Sequence, residues 1–184
     1  MATMSSTQDL EDLFSAQANE PAAWIELART LRLGARPVFT RLTEIRDVPP
    51  NTDEGRLEKL GCVRAYMLLT AVAFENMLKA IAVKRGLLTT DAGHLRPGIS
   101  LSPRSGHGLS EIARNLKLGL TRTDVDFLRR LEEYLVWAAR YPVPLHAQES
   151  ARAQKNSLLR LISSDVQLSD DLFDRLLRIA LQAA

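Results

Sequence analysis

The sequence predicts an all-α protein, an up-and-down bundle of four or five helices, and three observations carry that prediction. Apolar residues recur at spacings of three and four through most of the 184-residue chain, the period of helices that each bury one face. Val, Ile and Thr alternate only sparsely, and nine glycines and eight prolines punctuate the pattern, which argues against a sheet. With 46% hydrophobic and 25% charged residues and a formal net charge of +2, the composition is that of an ordinary globular chain. Its length suits one domain that buries a sizeable core without staples. The single Cys62 forms no internal disulfide, and three histidines with one thiol are too few for a structural zinc site. No metal or cofactor is therefore expected. We assign residues 1–18 to a flexible acidic segment and residues 19–184 to a single bundle domain.

The elements follow in order. Pro21 suits the first turn of a helix, and Trp24, Ala28, Leu31 and Ala35 fall along one face. Gly34 and Pro37 are expected to kink or break it before Phe39, Leu42 and Ile45 resume the pattern, and Pro49 and Pro50 end it. A second helix is expected from Asn51, Thr52 and Asp53 to Arg85, closed by Gly86 in a left-handed conformation. Leu57, Leu60, Arg64, Met67, Ala71, Phe74, Leu78 and Ile81 trace its stripe, making it the central helix.

Residues 87–106 read as a long loop holding Pro97 and Pro103, of a length that is usually functional or mobile. A short helix is expected from Gly108 to Leu118, closed by Gly119. The next has a clear start, with Thr121 as cap, Asp124 completing a capping box and Leu120 stapled to Val125. Its buried stripe is Val125, Leu128, Leu131, Leu135 and Ala138, and Pro142 and Pro144 stop it. Gln148 to Ile162 reads as a further helix, and a final one follows Ser169, with Leu168 stapled to Phe173.

Charge is unevenly placed. Residues 1–20 carry Asp9, Glu11, Asp12 and Glu20 and no base, whereas residues 84–122 carry seven bases and two acids. The overall balance excludes a polybasic nucleic-acid binder, while the basic stretch keeps a local anion site open. The longest apolar run, Ala65 to Val83, is interrupted by Glu75, Asn76 and Lys79, and makes a poor membrane span. The N-terminus lacks the basic flank and apolar core of a signal peptide, so a cytoplasmic protein is expected.

Leu109 to Val125 reads like a helix-turn-helix, short helix, Gly-containing turn and second helix. The second helix opens on Asp124 and Asp126, which repel phosphates, so a DNA-binding regulator is the weaker reading. Arg140 and His146 lie five intervening residues apart where the fourth helix ends. An imidazole to move a proton beside a guanidinium to hold phosphate charge suits phosphodiester chemistry. The plainer reading has Arg140 capping helix carbonyls and His146 at the surface. Tyr134, Trp137 and Tyr141 share one side of that helix and suit a core or dimer seam better than base stacking.

Four stretches, Ala73-Phe-Glu-Asn-Met-Leu-Lys-Ala80, Gly106-His-Gly-Leu109, Leu120-Thr121 and Trp137-Ala-Ala-Arg-Tyr-Pro-Val-Pro144, together resemble the higher-eukaryote and prokaryote nucleotide-binding (HEPN) superfamily of helical proteins, from Trp24 to His146. The resemblance implies a four- or five-helix bundle that dimerises, and in many members metal-independent RNA cleavage by an arginine and a histidine four to six residues apart, a count Arg140 and His146 meet. It implies that Glu75 and Asn76 orient the active site, and an RNA- or nucleotide-directed, toxin- or defence-associated protein with an antitoxin or similar partner. The alternative is a non-catalytic dimerisation or interaction module of the same fold.

The residues support a parallel reading. Glu75 stands four residues before Lys79 and follows Ala71 and Val72 on an apolar helix, so it is either a simple helical ion pair or a buried carboxylate needing a partner such as Arg140, His107 or Lys79. His107, with Arg104 nearby, stands at a helix entry where phosphate binding is one reading and a hydrogen-bonded bundle histidine the other.

Overall fold

The computed structural model describes residues 7–47, 49, 51–91, 94–97 and 107–182. It is an all-α bundle, with seven α-helices among the described residues. They are α1 (Thr7–Ala18), α2 (Pro21–Arg46), α3 (Asp53–Lys84), α4 (Leu109–Asn115), α5 (Arg122–Glu133), α6 (Ala147–Lys155) and α7 (Asp165–Leu181), with a π-helical turn, Tyr134–Ala138, continuing α5. Where an irregular loop was expected after α3, two short strands, β1 (Leu88–Asp91) and β2 (His94–Pro97), pair antiparallel. The acidic N-terminal segment, expected to be flexible, folds over Thr7–Ala18 as α1.

α2 and α3 form an antiparallel hairpin, since residues early in α2 meet residues late in α3. Phe39 packs at a tilt against Tyr66 with ring centroids 5.2 Å apart, Arg41 bonds Glu58 at 2.7 Å, and Trp24 lies beneath Lys79. α2 runs unbroken through Gly34 and Pro37, against the expected break. Both residues face solvent, as does Leu33, whose carbonyl Pro37 leaves without an amide partner, so the lost helix bond falls on the solvent side rather than in the core.

α3 is buried on nearly every side in its second half, as befits a helix enclosed by others. Phe74, fully buried, meets Phe127 of α5 and Phe173 of α7 edge-to-face at 5.8 and 5.7 Å, so one ring ties three helices together. By length and composition α3 would cross a membrane, but 78% of its apolar window is buried inside the bundle. Gly86 adopts φ +65°, and Gly86 and Leu87 donate back to Val83 and Ala82 at 2.9 Å, the expected left-handed stop.

α5 starts with the predicted capping box between Thr121 and Asp124. The helix expected over Gln148–Ile162 covers only Ala147–Lys155. Ser157 ends it at φ 52°, and Leu158 donates to Ala153 at 2.8 Å. The last helix starts at Asp165, four residues before the expected Ser169. Asp165 is fully buried, pairs with Arg130 and accepts from the Ile162 amide at 3.0 Å, so a contact with α5 sets the turn. Arg32 braces α7 against α2 through Asp170 at 2.6 Å and Asp174 at 2.7 Å.

Candidate functional site

Of the six residues singled out by sequence, the structure joins two across the fold. Glu75 is buried on α3 with 5% of its surface exposed, because neighbouring turns of α3 bury their apolar side chains on the same side. One carboxylate oxygen pairs with Lys79, one turn on, and the other lies 3.2 Å from His107 Nδ1. His107 immediately precedes Gly108, the N-cap of α4, and its side chain is 36% exposed. The Lys79 ammonium lies 5.7 Å from the centre of the Trp24 ring, and the Trp24 indole donates to the Ala18 carbonyl at 2.8 Å. The carboxylate is thus removed from water but compensated by an ammonium, itself held over an aromatic face.

A carboxylate on Nδ1 places the imidazole proton there and leaves Nε2 as the basic nitrogen. This is the division of labour that orients a histidine for proton transfer. Asn76, the neighbour of Glu75, turns away: its amide donates to the Val72 carbonyl of its own helix at 2.8 Å.

Arg140 and His146 sit elsewhere, in the exit from the π turn. Arg140 lies against Tyr141, its Cζ 5.3 Å from the ring centre and Nη2 3.3 Å from the hydroxyl. His146 is exposed at the N-cap of α6 and makes no capping bond there. No hydrogen bond or ion pair joins these two residues, or either of them to Glu75, among the described residues. Arg104 lies outside the described residues.

Tyr134 and Trp137 are core residues. Burial pushes the Tyr134 hydroxyl up to about 12, and the Trp137 indole donates to Glu133 at 2.9 Å. Tyr141 is exposed. α5 buries Phe127, Leu128 and Leu131 on one face and exposes Arg122, Thr123 and Arg129 on the other. Burial alone would raise the Asp124 carboxyl, but two bonds from Thr121 and the Arg175 ion pair outweigh it and hold it below the usual range. Among the described residues no group of three His, Cys, Asp or Glu is placed to hold a metal ion.

One feature that sequence reasoning missed is a cleft between α4, α5 and α6 whose wall carries five arginines. They come from three separate stretches of chain, so no local motif marks them. No protein-family model, curated protein or solved structure matches the chain.

Proposed function

We propose that this chain is an RNA- or nucleotide-directed helical protein in which Glu75 and His107 are the proton-transfer pair. The observation that carries the reading is the 3.2 Å contact between them, made by residues 32 apart in sequence. Lys79 compensates the Glu75 charge, and the ligand's phosphate is the group whose ester oxygens His107 would protonate or whose attacking hydroxyl it would deprotonate.

The test is cleavage of end-labelled single-stranded RNAs and nucleotides by purified protein between pH 5 and 9. His107→Ala and Glu75→Gln should each lower turnover by at least about 100-fold, the usual worth of a positioned acid or base. Arg140→Ala and His146→Ala should stay within about threefold. Cleavage that survives His107→Ala would sink this assignment.

One observation favours a second reading, in which Arg140 and His146 act across a dimer. Between them the chain exposes Tyr141, Val143 and Leu145, the last with 94% of its surface in solvent, an apolar tract suited to a second copy. A dimer dissociated by Val143→Asp with Leu145→Asp, and cleavage lost in Arg140→Ala, would support it. A protein that binds RNA through neither pair is left as a non-catalytic interaction module.

A further inference from the structure

Beyond the proton-transfer pair, and independently of it, the cleft between α4, α5 and α6 has the chemistry of an oligophosphate site. Its volume is about 740 Å³, within the range of small-molecule sites. Arg122, Arg129 and Arg130 of α5, Arg152 of α6 and Arg160 beyond it line the wall. Arg122 and Arg129 are two helical turns apart and so share a face of α5.

The carboxylates of the same wall are largely engaged. Glu132 accepts from the Ser110 amide and hydroxyl, both at 2.7 Å. Glu133 accepts from the Trp137 indole and pairs with Arg152. Asp126 holds Arg122 and Arg129 only at 3.8 and 3.5 Å, on the exposed rim, where such pairs yield readily to a stronger anion. Glu111 lies 3.6 Å from Arg114, which is not part of the wall.

The guanidiniums, in contrast, keep donors to spare, since each carries five N–H groups. Arg152 and Arg130 each spend Nη2 on a carboxylate. Arg130 has only 9% of its surface exposed, and its Nε is buried without a hydrogen-bond partner. Among the described residues Arg160 has no partner at all. The donors that an anion entering the cleft can reach belong to the exposed guanidiniums of Arg122, Arg129 and Arg160. The planar guanidinium fork suits phosphate oxygens, which it binds two at a time. Among the described residues no aromatic side chain lines the cleft, so its charged guanidiniums are the groups that recognise a ligand, through its phosphates.

We propose that this cleft binds a run of two or more phosphate groups, as carried by a nucleoside polyphosphate or by the 5′-triphosphate end of an RNA. The experiment is calorimetric titration of the full chain at low salt with inorganic tripolyphosphate, ATP, and one oligoribonucleotide bearing either a 5′-triphosphate or a 5′-hydroxyl. Tripolyphosphate should bind with one-to-one stoichiometry. Arg129→Ala with Arg160→Ala, both exposed and so tolerated by the fold, should weaken it at least about tenfold with an unchanged melting temperature.

Arg29→Ala with Arg36→Ala, on α2, serves as the control for non-specific attraction and should leave affinity within about twofold. ATP matching tripolyphosphate would identify a nucleotide as the source. A 5′-triphosphate RNA preferred over its 5′-hydroxyl form, with ATP weak, would identify an RNA end. No binding of tripolyphosphate at millimolar concentration, equal weakening by both arginine pairs, or tighter binding of a poly-glutamate peptide would each overturn the proposal.

Discussion

Glu75 and Glu133 are built on one plan and differ in where the compensating charge sits, one turn on for Glu75 and on another element for Glu133. Each is buried on a helix, each binds a side chain one turn on, Lys79 or Trp137, and each reaches a residue on another element, His107 or Arg152. The remote partner of Glu133 is a guanidinium, charged at every accessible pH. That of Glu75 is an imidazole, the kind of group that serves as general acid or base, with a side chain 36% exposed to solvent. A buried carboxylate with a partner four residues on therefore does not mark a working site. What separates the clamp from the candidate site is whether the remote partner can carry a proton to something outside the fold.

The comparison breaks first at Arg152. Arg152→Ala takes the guanidinium away from the Glu133 side chain, 2% exposed, and should cost about 3 kcal/mol, the low end for a broken buried pair because Arg152 itself is half in water. Urea denaturation at pH 7 measures it, and a loss below about 1 kcal/mol would make the two carboxylates equivalent. His107→Ala should cost less, about 1 kcal/mol, because Lys79 still compensates Glu75. Double-mutant cycles sharpen the contrast: coupling between Glu133 and Arg152 should exceed that between Glu75 and His107 by about 1–2 kcal/mol.

What the sequence revealed follows the range of the forces involved. α3 and its Gly86 stop were legible because apolar period and left-handed backbone are local properties, and the Thr121–Asp124 box was legible because its members are three residues apart. The α2 break failed on a tertiary fact, that Gly34, Pro37 and Leu33 all face water. The end of α6 was hidden because Ser157, not a glycine, takes φ 52°. The start of α7 was hidden because Asp165 answers to Arg130, 35 residues earlier. The site divides the same way. Glu75 announced itself as a carboxylate on an apolar helix, and His107 was among the partners its burial called for. The five arginines of the cleft, spread from Arg122 to Arg160, became a group only in three dimensions.

A third buried carboxylate gives the smallest effect and the one that acid reads directly. Asp124 is 1% exposed and accepts from the Thr121 amide at 2.9 Å, the Thr121 hydroxyl at 2.8 Å and Arg175 at 2.5 Å. Its carboxyl is held below the usual range, so the folded chain binds the proton less readily than the unfolded chain does. The stability it contributes is therefore fully present above the unfolded value of about 4 and is lost as pH falls through the lower folded value. Asp124→Asn keeps the shape and removes the charge. It should cost about 1 kcal/mol at pH 7, the usual worth of a capping interaction, and its stability should approach that of the unaltered protein as pH falls below about 4, where the unfolded carboxyl takes up its proton. Parallel denaturation curves from pH 7 to pH 3 decide the point. A constant gap between the two proteins across that range would mean that the folded carboxyl is not held below its unfolded value, and that the lost acceptor geometry rather than the charge carries the cost.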